Sequence, residues 1–218
     1  MQNYEAKSSA YFAHARKEIA PLLPTRCGRV LEIGCGSGAT LAWLRTSGRT
    51  EHTVGVEISS AAAESARSQV DEIHCLDFEK SGFSVAQAKF DVILCLDVLE
   101  HMVDPWRVVD QLVTDHLAPG GTLVISLPNV RHYSVVLPLL LQGRWDYEAA
   151  GLLDRTHLRF FTRRTALAMV THPLVKGPRC LSVGFGWPSL KALVNFGTAG
   201  LFRDLLTYQY LLSAHKPA

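Results

Sequence analysis

The sequence predicts an α/β fold in which a largely parallel, doubly wound sheet carries helices on both faces. Three observations carry that reading. Short apolar runs alternate with segments of helical periodicity. The run FDVILCL (90–96) is continuously apolar after Asp91, as strands covered on both faces are. A turn with glycine at every second position, Gly34-Cys35-Gly36-Ser37-Gly38, joins one apolar strand directly to a helix.

Within an N-terminal segment 1–24, a helix is expected from about Asn3 to Ala20, stopped by Pro21 and Pro24. Strands are expected at Arg29–Ile33, His52–Val56, Glu72–Leu76 and Phe90–Leu96, with a helix at Ala39–Thr46 after the glycine turn. Asp104-Pro105 then supplies an N-cap and a first helical proline. Trp106, Val109, Leu112, Val113 and Leu117 recur behind it at helical spacing. Pro119-Gly120-Gly121 makes the turn into a strand at Thr122–Leu127. There the rhythm breaks. Residues 128–161 form a connection too long to be an idle loop. Thr162 reads as the N-cap of a helix to about Thr171, and strands near Cys180–Phe185 and Thr207–Ala214 close the chain. No internal repeat is visible, and the whole of 1–218 reads as one domain.

Composition bounds the function classes. Of the 218 residues 48% are hydrophobic and 19% charged, which is ordinary globular usage. The N-terminus lacks the apolar core of a signal peptide, and the longest apolar run, Val135–Leu141, is too short to span a bilayer. Five cysteines with no CxxC pair suggest a reducing, cytoplasmic setting without structural zinc. The net charge of +2 conceals an asymmetry: residues 1–130 carry 11 Lys/Arg against 16 Asp/Glu, and 131–218 carry 11 against 4. The basic part is mostly arginine, which suits a solvated face or an anionic partner. With no long Lys/Arg run and no recognisable module, nucleic acid is not expected.

Glu32 ends the strand before the glycine turn, and a second strand ends in Glu57, nineteen residues beyond Gly38. An acid at that distance is placed to bind the two hydroxyls of a ribose. Together these features point to a nucleoside cofactor. The turn satisfies the dinucleotide pattern G-x-G-x-x-G/A as well as the tighter G-x-G-x-G, so a nicotinamide-dependent oxidoreductase competes. Glu32 tilts the choice, because a carboxylate two residues before the first glycine would repel a pyrophosphate and accept from an ammonium.

The set LEIGCGSG (31–38), VGVEIS (54–59), LDFE (76–79), FDVILCLDVLEH (90–101) and LAPGGTLVISLPN (117–129) resembles class I S-adenosylmethionine-dependent methyltransferases. The run GLLDRTHLRFFT (151–162) is similar to a bacterial subgroup related to ubiquinone-biosynthesis and sugar or secondary-metabolite O-methyltransferases. The resemblance implies a Rossmann-like seven-stranded sheet, mostly parallel with an antiparallel last strand. It implies S-adenosylmethionine as cofactor and S-adenosylhomocysteine as product. Glu32, Gly34, Cys35 and Gly36 would then surround the methionine end, with Gly38 allowing close helix packing. Glu57 would bind the ribose, Ile58 and Phe78 would flank the adenine, and Asp77 would reach its amino group. Leu96 and Asp97, at the end of the fourth strand, would line the transfer cleft.

Methyl transfer is an in-line displacement, so positioning dominates, with a base added if the acceptor is a hydroxyl. His101 is the first candidate for that base, with Asp97 beside it and His132 and His157 as rivals. Asp97, Glu100 and His101 also repeat a D-x-x-E-H spacing close to the E-x-x-E-H of metal-dependent relatives, where Mg²⁺ would acidify a bound hydroxyl. Aspartate replaces the first glutamate, and no metal site is assigned. The acceptor is expected to be a small molecule, anionic if the arginines hold it, bound by the segments 128–161 and 186–206. The apolar stretches Val135–Leu141 and Leu190–Leu206 are expected to meet the core or a second subunit, as in a homodimer, rather than a membrane. A cofactor-binding regulatory protein without catalysis is the third reading.

Overall fold

Alternate residues of the central strands point to opposite faces, and the core divides accordingly. A computed structural model describes residues 14–81, 89–184 and 190–218. Its strands are β1 (Gly28–Ile33), β2 (Thr50–Glu57), β3 (Glu72–Cys75), β4 (Phe90–Leu96), β5 (Leu117–Pro128), β6 (Lys176–Val183) and β7 (Gln209–His215). They form one seven-stranded sheet in the order β3-β2-β1-β4-β5-β7-β6. The first five are mutually parallel, and β7 runs antiparallel between β5 and β6. The seven-stranded, mostly parallel sheet with an antiparallel last strand is therefore as expected.

One face of the sheet presents Leu31, Ile33, Ile93, Cys95, Leu123, Ile125 and Leu127, which pack in a single apolar cluster. The helix α4 (Pro105–Gln111) joins that cluster through Val108 and Val109, and α6 (Arg163–Met169) through Ala166 and Met169. The other face presents Val30, Val92, Leu94, Leu96 and Val124 against Leu41 and Leu44 of α1 (Ala39–Thr46) and against Ile19 and Leu22. Both faces are covered, which is why these strands read as unbroken apolar runs. The strand order reverses between β1 and β4, and ligands of open parallel sheets bind at the carboxyl ends of the strands at such a point.

The remaining helices are α2 (Ser60–Ala66), α3 (Phe78–Ser81), α5 (Tyr133–Gln142), α7 (Leu190–Gly197) and α8 (Arg203–Leu206). Capping agrees with the sequence signals. The Asp104 side chain accepts from Arg107 N at 3.1 Å, and Thr162 forms a capping box with Thr165. Other expectations are corrected. Most of the helix expected at Asn3–Ala20 lies outside the described residues, and its last part is instead a 3₁₀ segment, Lys17–Leu22, that contains Pro21. The Pro119-Gly120-Gly121 turn does not precede β5 but bulges within it, because Leu117 pairs with Phe90 while Thr122 pairs with Val92. Strand β6 starts earlier than Cys180, at Lys176, since its edge position tolerates exposed polar residues. Trp106 is 52% exposed rather than core, lying where the Arg159 guanidinium covers its ring. Of the run Val135–Leu141, Val135 is buried while Leu137, Leu139, Leu140 and Leu141 stay exposed, so the expected core contact holds at its start only. Among the described residues no helix is long and apolar enough to cross a membrane.

Gly55 on β2 lies against the glycine turn. A Cβ built there would sit 2.6 Å from Cys35 Sγ and 3.0 Å from Ile73 Cδ1. Gly55→Ala should therefore cost about 1–3 kcal/mol in urea unfolding, as overpacking does. Adding Cys35→Ala should return part of the loss; simple additivity of the two losses would show that the sulfur is not the obstacle.

Candidate active site

At the carboxyl edge of the sheet, the ends of β1, β2, β3 and β4 surround a cavity of about 730 Å³. Its lining includes Glu32, Gly34, Cys35 and Gly36 from the first turn, and Glu57 and Ile58 from the end of β2. Asp77, Phe78 and Glu79 come from the third strand end, and Leu96, Asp97, Val98 and His101 from the fourth. Arg16, Thr40, Leu158, Tyr208 and Gln209 also face it. Of the residues singled out in the sequence for cofactor or catalysis, Gly38, Glu100, His132 and His157 do not line it.

The turn is built by its backbone. Gly34, Gly36 and Gly38 all have positive φ, and the N–H groups of Gly34 and Cys35 both donate to Val56 O, at 2.8 and 3.1 Å. Gly38 lies at the start of α1 with φ 79°, and a Cβ there would sit 2.8 Å from Val70 Cγ1. That geometry lets α1 begin close against the segment after α2.

Two buried acids line the cavity and a third, Glu100, lies behind its wall. Glu57 accepts from Gly36 N through Oε2 and from Ser59 N through Oε1, both at 2.9 Å. Its carboxylate is held rigid between two strand ends, although burial still pushes its pKa above the ordinary value. Glu32 is buried with no hydrogen-bond partner on Oε2. Burial raises its pKa to about 8, Glu57 adds to the shift, and Arg16 and a hydrogen bond from Thr40 oppose it. Glu100 is also fully enclosed and driven well above the carboxylate range, chiefly by burial, with Asp97 next. Its Oε2 likewise lacks a partner.

Asp97 is different. It has φ 53°, a left-handed conformation uncommon for a non-glycine residue. Three side chains over-determine it: Ser126 Oγ donates to Oδ1 at 2.7 Å, Gln209 Nε2 also donates to Oδ1, and Arg16 Nη1 pairs with Oδ2. Asp77 accepts from Lys80 N at 3.2 Å and pairs with Lys80 Nζ at 2.7 Å, so it caps α3 while lining the cavity. Phe78 is both a core residue and a cavity wall.

The histidines separate. His101 lines the cavity and places Nδ1 at 3.1 Å from the carbonyl oxygen of Thr156, an arrangement that puts the ring proton on Nδ1 and makes Nε2 the basic nitrogen. His157 packs edge-on to it at 4.7 Å between ring centroids, with Nε2 3.9 Å from Glu100 Oε1. His132 is buried at the start of α5, where its side chain accepts from Ser134 N and its ring meets Tyr133 and Tyr208. The D-x-x-E-H trio does not converge. Asp97 turns to Arg16, and the ligand atoms that lie within 4.8 Å of one another belong to Glu100, His101 and His157.

Arg16, Ser126 and Gln209 were not visible in the sequence as site residues. Arg16 is 81 positions from Asp97 and Gln209 is 112, and neither stands in a motif. The one available hint was Asp97 itself, a charged residue directly after a buried apolar strand that needs a partner.

Known proteins resemble this chain in sequence and in fold. A family model described as a methyltransferase domain matches residues 4–171. The chain is 33% identical over 115 residues to the 27-O-demethylrifamycin SV methyltransferase of Amycolatopsis mediterranei, covering 50% of this chain and 42% of that protein. It is 27% identical over 168 residues to a ubiquinone biosynthesis O-methyltransferase of Psychrobacter arcticus, covering 68% and 64%. The chain thus spans between about two fifths and two thirds of these two relatives' length. The crystal structure of a SAM-dependent methyltransferase from Archaeoglobus fulgidus shares the fold with TM-score 0.66 at 18% identity, covering 96% of this chain and 95% of that one. The family model extends from before the glycine turn through the Asp97–His101 segment to the end of α6, and on that match the chain belongs to the methyltransferase domain family.

Proposed function

We propose that this chain is an S-adenosylmethionine-dependent methyltransferase that methylates an oxygen of a small-molecule acceptor. The observation that carries the reading is the pair of buried acids on one cavity wall: Glu57 with both oxygens fixed by backbone N–H groups, and Glu32 with an orphaned oxygen. Each oxygen of Glu57 keeps a lone pair for a ribose hydroxyl. The orphaned oxygen of Glu32 fits a cationic ammonium group, which would compensate its burial. Ile58, Asp77 and Phe78 would flank the adenine, and Leu96, Asp97 and the glycine turn the methionine end.

S-adenosylmethionine supplies an electrophilic methyl carbon on a sulfonium. The chain's own contribution is placement. Arg16, Ser126 and Gln209 hold Asp97 rigid at the end of β4, on the wall of the cavity. His101, with its proton held on Nδ1, offers Nε2 as the base for an acceptor hydroxyl. His132 stands further back, as a cap. The segments 128–161 and 186–206 are proposed as the acceptor side, 186–189 lying outside the described residues. Leu158, in the first of these segments, supports this by facing the same cavity. The relatives that act on oxygen support an oxygen acceptor, and five free cysteines support a reducing, cytoplasmic setting.

A second reading adds a divalent cation, favoured by the convergence of Glu100, His101 and His157. Enclosure opposes it, since Glu100 is held toward its protonated form.

Titrating the protein with S-adenosylhomocysteine and, separately, with NAD tests the cofactor directly; binding of NAD alone would overturn the proposal. Glu32 adds a pH signature. Unfolded, it ionises near 4.5; folded, near 8. The folded chain therefore binds the extra proton between those values, and this group's contribution makes stability fall as pH rises through that window. The slope is at most about 1.4 kcal/mol per pH unit. Glu32→Gln should flatten it, and should also abolish the proton release expected when a cationic ligand binds at pH 7, read as a buffer-dependent binding enthalpy. His101→Asn should lower kcat by about 10²–10⁴-fold while leaving cofactor affinity within a factor of about three. Turnover in EDTA equal to turnover with Mg²⁺ would remove the cation.

A further inference from the structure

A second concave surface lies beyond β5, away from the main cavity. Two adjoining hollows of about 450 and 580 Å³ share Arg131, Arg163 and Asp204 in their walls. Arg164 borders the first and Arg203 the second. Four guanidiniums thus meet at one groove around a single carboxylate. Arg131 pairs with Asp204 at 3.4 Å, while Arg163, Arg164 and Arg203 form no ion pair among the described residues. With one carboxylate facing four guanidiniums, the groove carries a net positive charge.

The frame beneath these arginines is fixed rather than loose. Asn129 is fully buried, and its Nδ2 donates to the carbonyl oxygens of Asp204 at 2.6 Å and Thr207 at 2.7 Å. Its Oδ1 accepts from Arg131 N at 3.0 Å. One side chain therefore sets the spacing between the Arg131 and Asp204 backbones. Arg203 Nε donates to Ser182 Oγ at 3.3 Å, which ties it to the edge strand β6. Leu201 and Phe202 line the second hollow and are exposed, giving an apolar border to the cationic centre.

We propose that Arg131, Arg163, Arg164 and Arg203 form a binding site for a phosphate-class anion. Arginine suits this chemistry because its planar fork donates two parallel hydrogen bonds to phosphate oxygens. The anion is a phosphate ester, with the apolar border receiving the group it esterifies. The groove shares no wall residue with the main cavity, yet Arg203 and Asp204 are joined to Tyr208 and Gln209 by one short segment.

The test uses the full chain at low ionic strength, with two probes: sodium pyrophosphate in calorimetry, and sedimentation with phosphatidylcholine vesicles containing phosphatidic acid. Saturable binding is expected in at least one arm, the first marking a soluble phosphate and the second alone a lipid headgroup. The double variant R163A/R203A should weaken it by about tenfold or more, the loss expected when charge-assisted hydrogen bonds are removed. R163K/R203K, which keeps the charge and loses the forks, should fall between, and R67A, at an exposed arginine outside the groove, should bind as the wild type. Circular dichroism melting checks that each variant folds. No binding in either arm, or undiminished binding by a folded R163A/R203A, would overturn the site. S-adenosylhomocysteine titration of the same samples reports on the main cavity, so failure of one reading is separable from failure of the other.

Discussion

The guanidinium of Arg16 is the interaction on which the cavity depends. It pairs with Asp97 and Glu18 and donates to Gln209 Oε1 at 2.7 Å, joining the start of the described chain to the ends of β4 and β7. Burial pushes its pKa down, but Asp97 and Glu18 more than offset this and hold it above the ordinary value. It stays charged. Its field also opposes the upward shifts of Glu32 and Glu100. Removing it would leave Asp97, whose side chain is 33% exposed, in a strained conformation without its charged partner and held by Ser126 and Gln209 alone.

Much of the sheet was legible because burial leaves a strong mark on sequence. Strands covered on both faces are apolar at nearly every position, so Phe90–Leu96, apolar but for Asp91, could be read to the residue. The glycine turn was legible for a related reason, since positive φ at three alternating positions selects glycine. The two helix starts at Asp104 and Thr162 were written in side chains that satisfy backbone donors. What failed was local extrapolation. Trp106 fits the helical period of α4, yet the period says which face a residue shares, not how far the core extends beneath it. The Pro119-Gly120-Gly121 turn reads as a boundary, but a bulge inside a strand has the same composition.

The site was less legible than the sheet, because its contacts join distant residues. Glu32, Glu57 and Asp97 stand at strand ends, where strand periodicity places them in advance. Arg16, Ser126 and Gln209 belong to Asp97 only through the fold, and no spacing announces them. The histidines show the same limit. His101, His132 and His157 are equivalent as intrinsic bases. The structure separates them by neighbours: His132 serves as a helix cap, His157 lies buried beside Glu100, and His101 reaches the cavity.

Charge segregation along the chain has a spatial counterpart. The acid-rich first part supplies Glu32, Glu57 and Asp97 to the main cavity, and the arginine-rich second part supplies the groove beyond β5. These two surfaces favour opposite ligand charges, and Glu32 makes the preference of the first one steep. With a pKa near 8, it is mostly protonated at neutral pH in the free protein. A cationic group placed beside it draws it toward the carboxylate and gains a strong partner in a low-dielectric site. An anionic group such as a pyrophosphate would instead hold it in the acid form and gain no ion pair. The same turn of glycines can serve either cofactor, so the discrimination rests on the buried acid two residues before it.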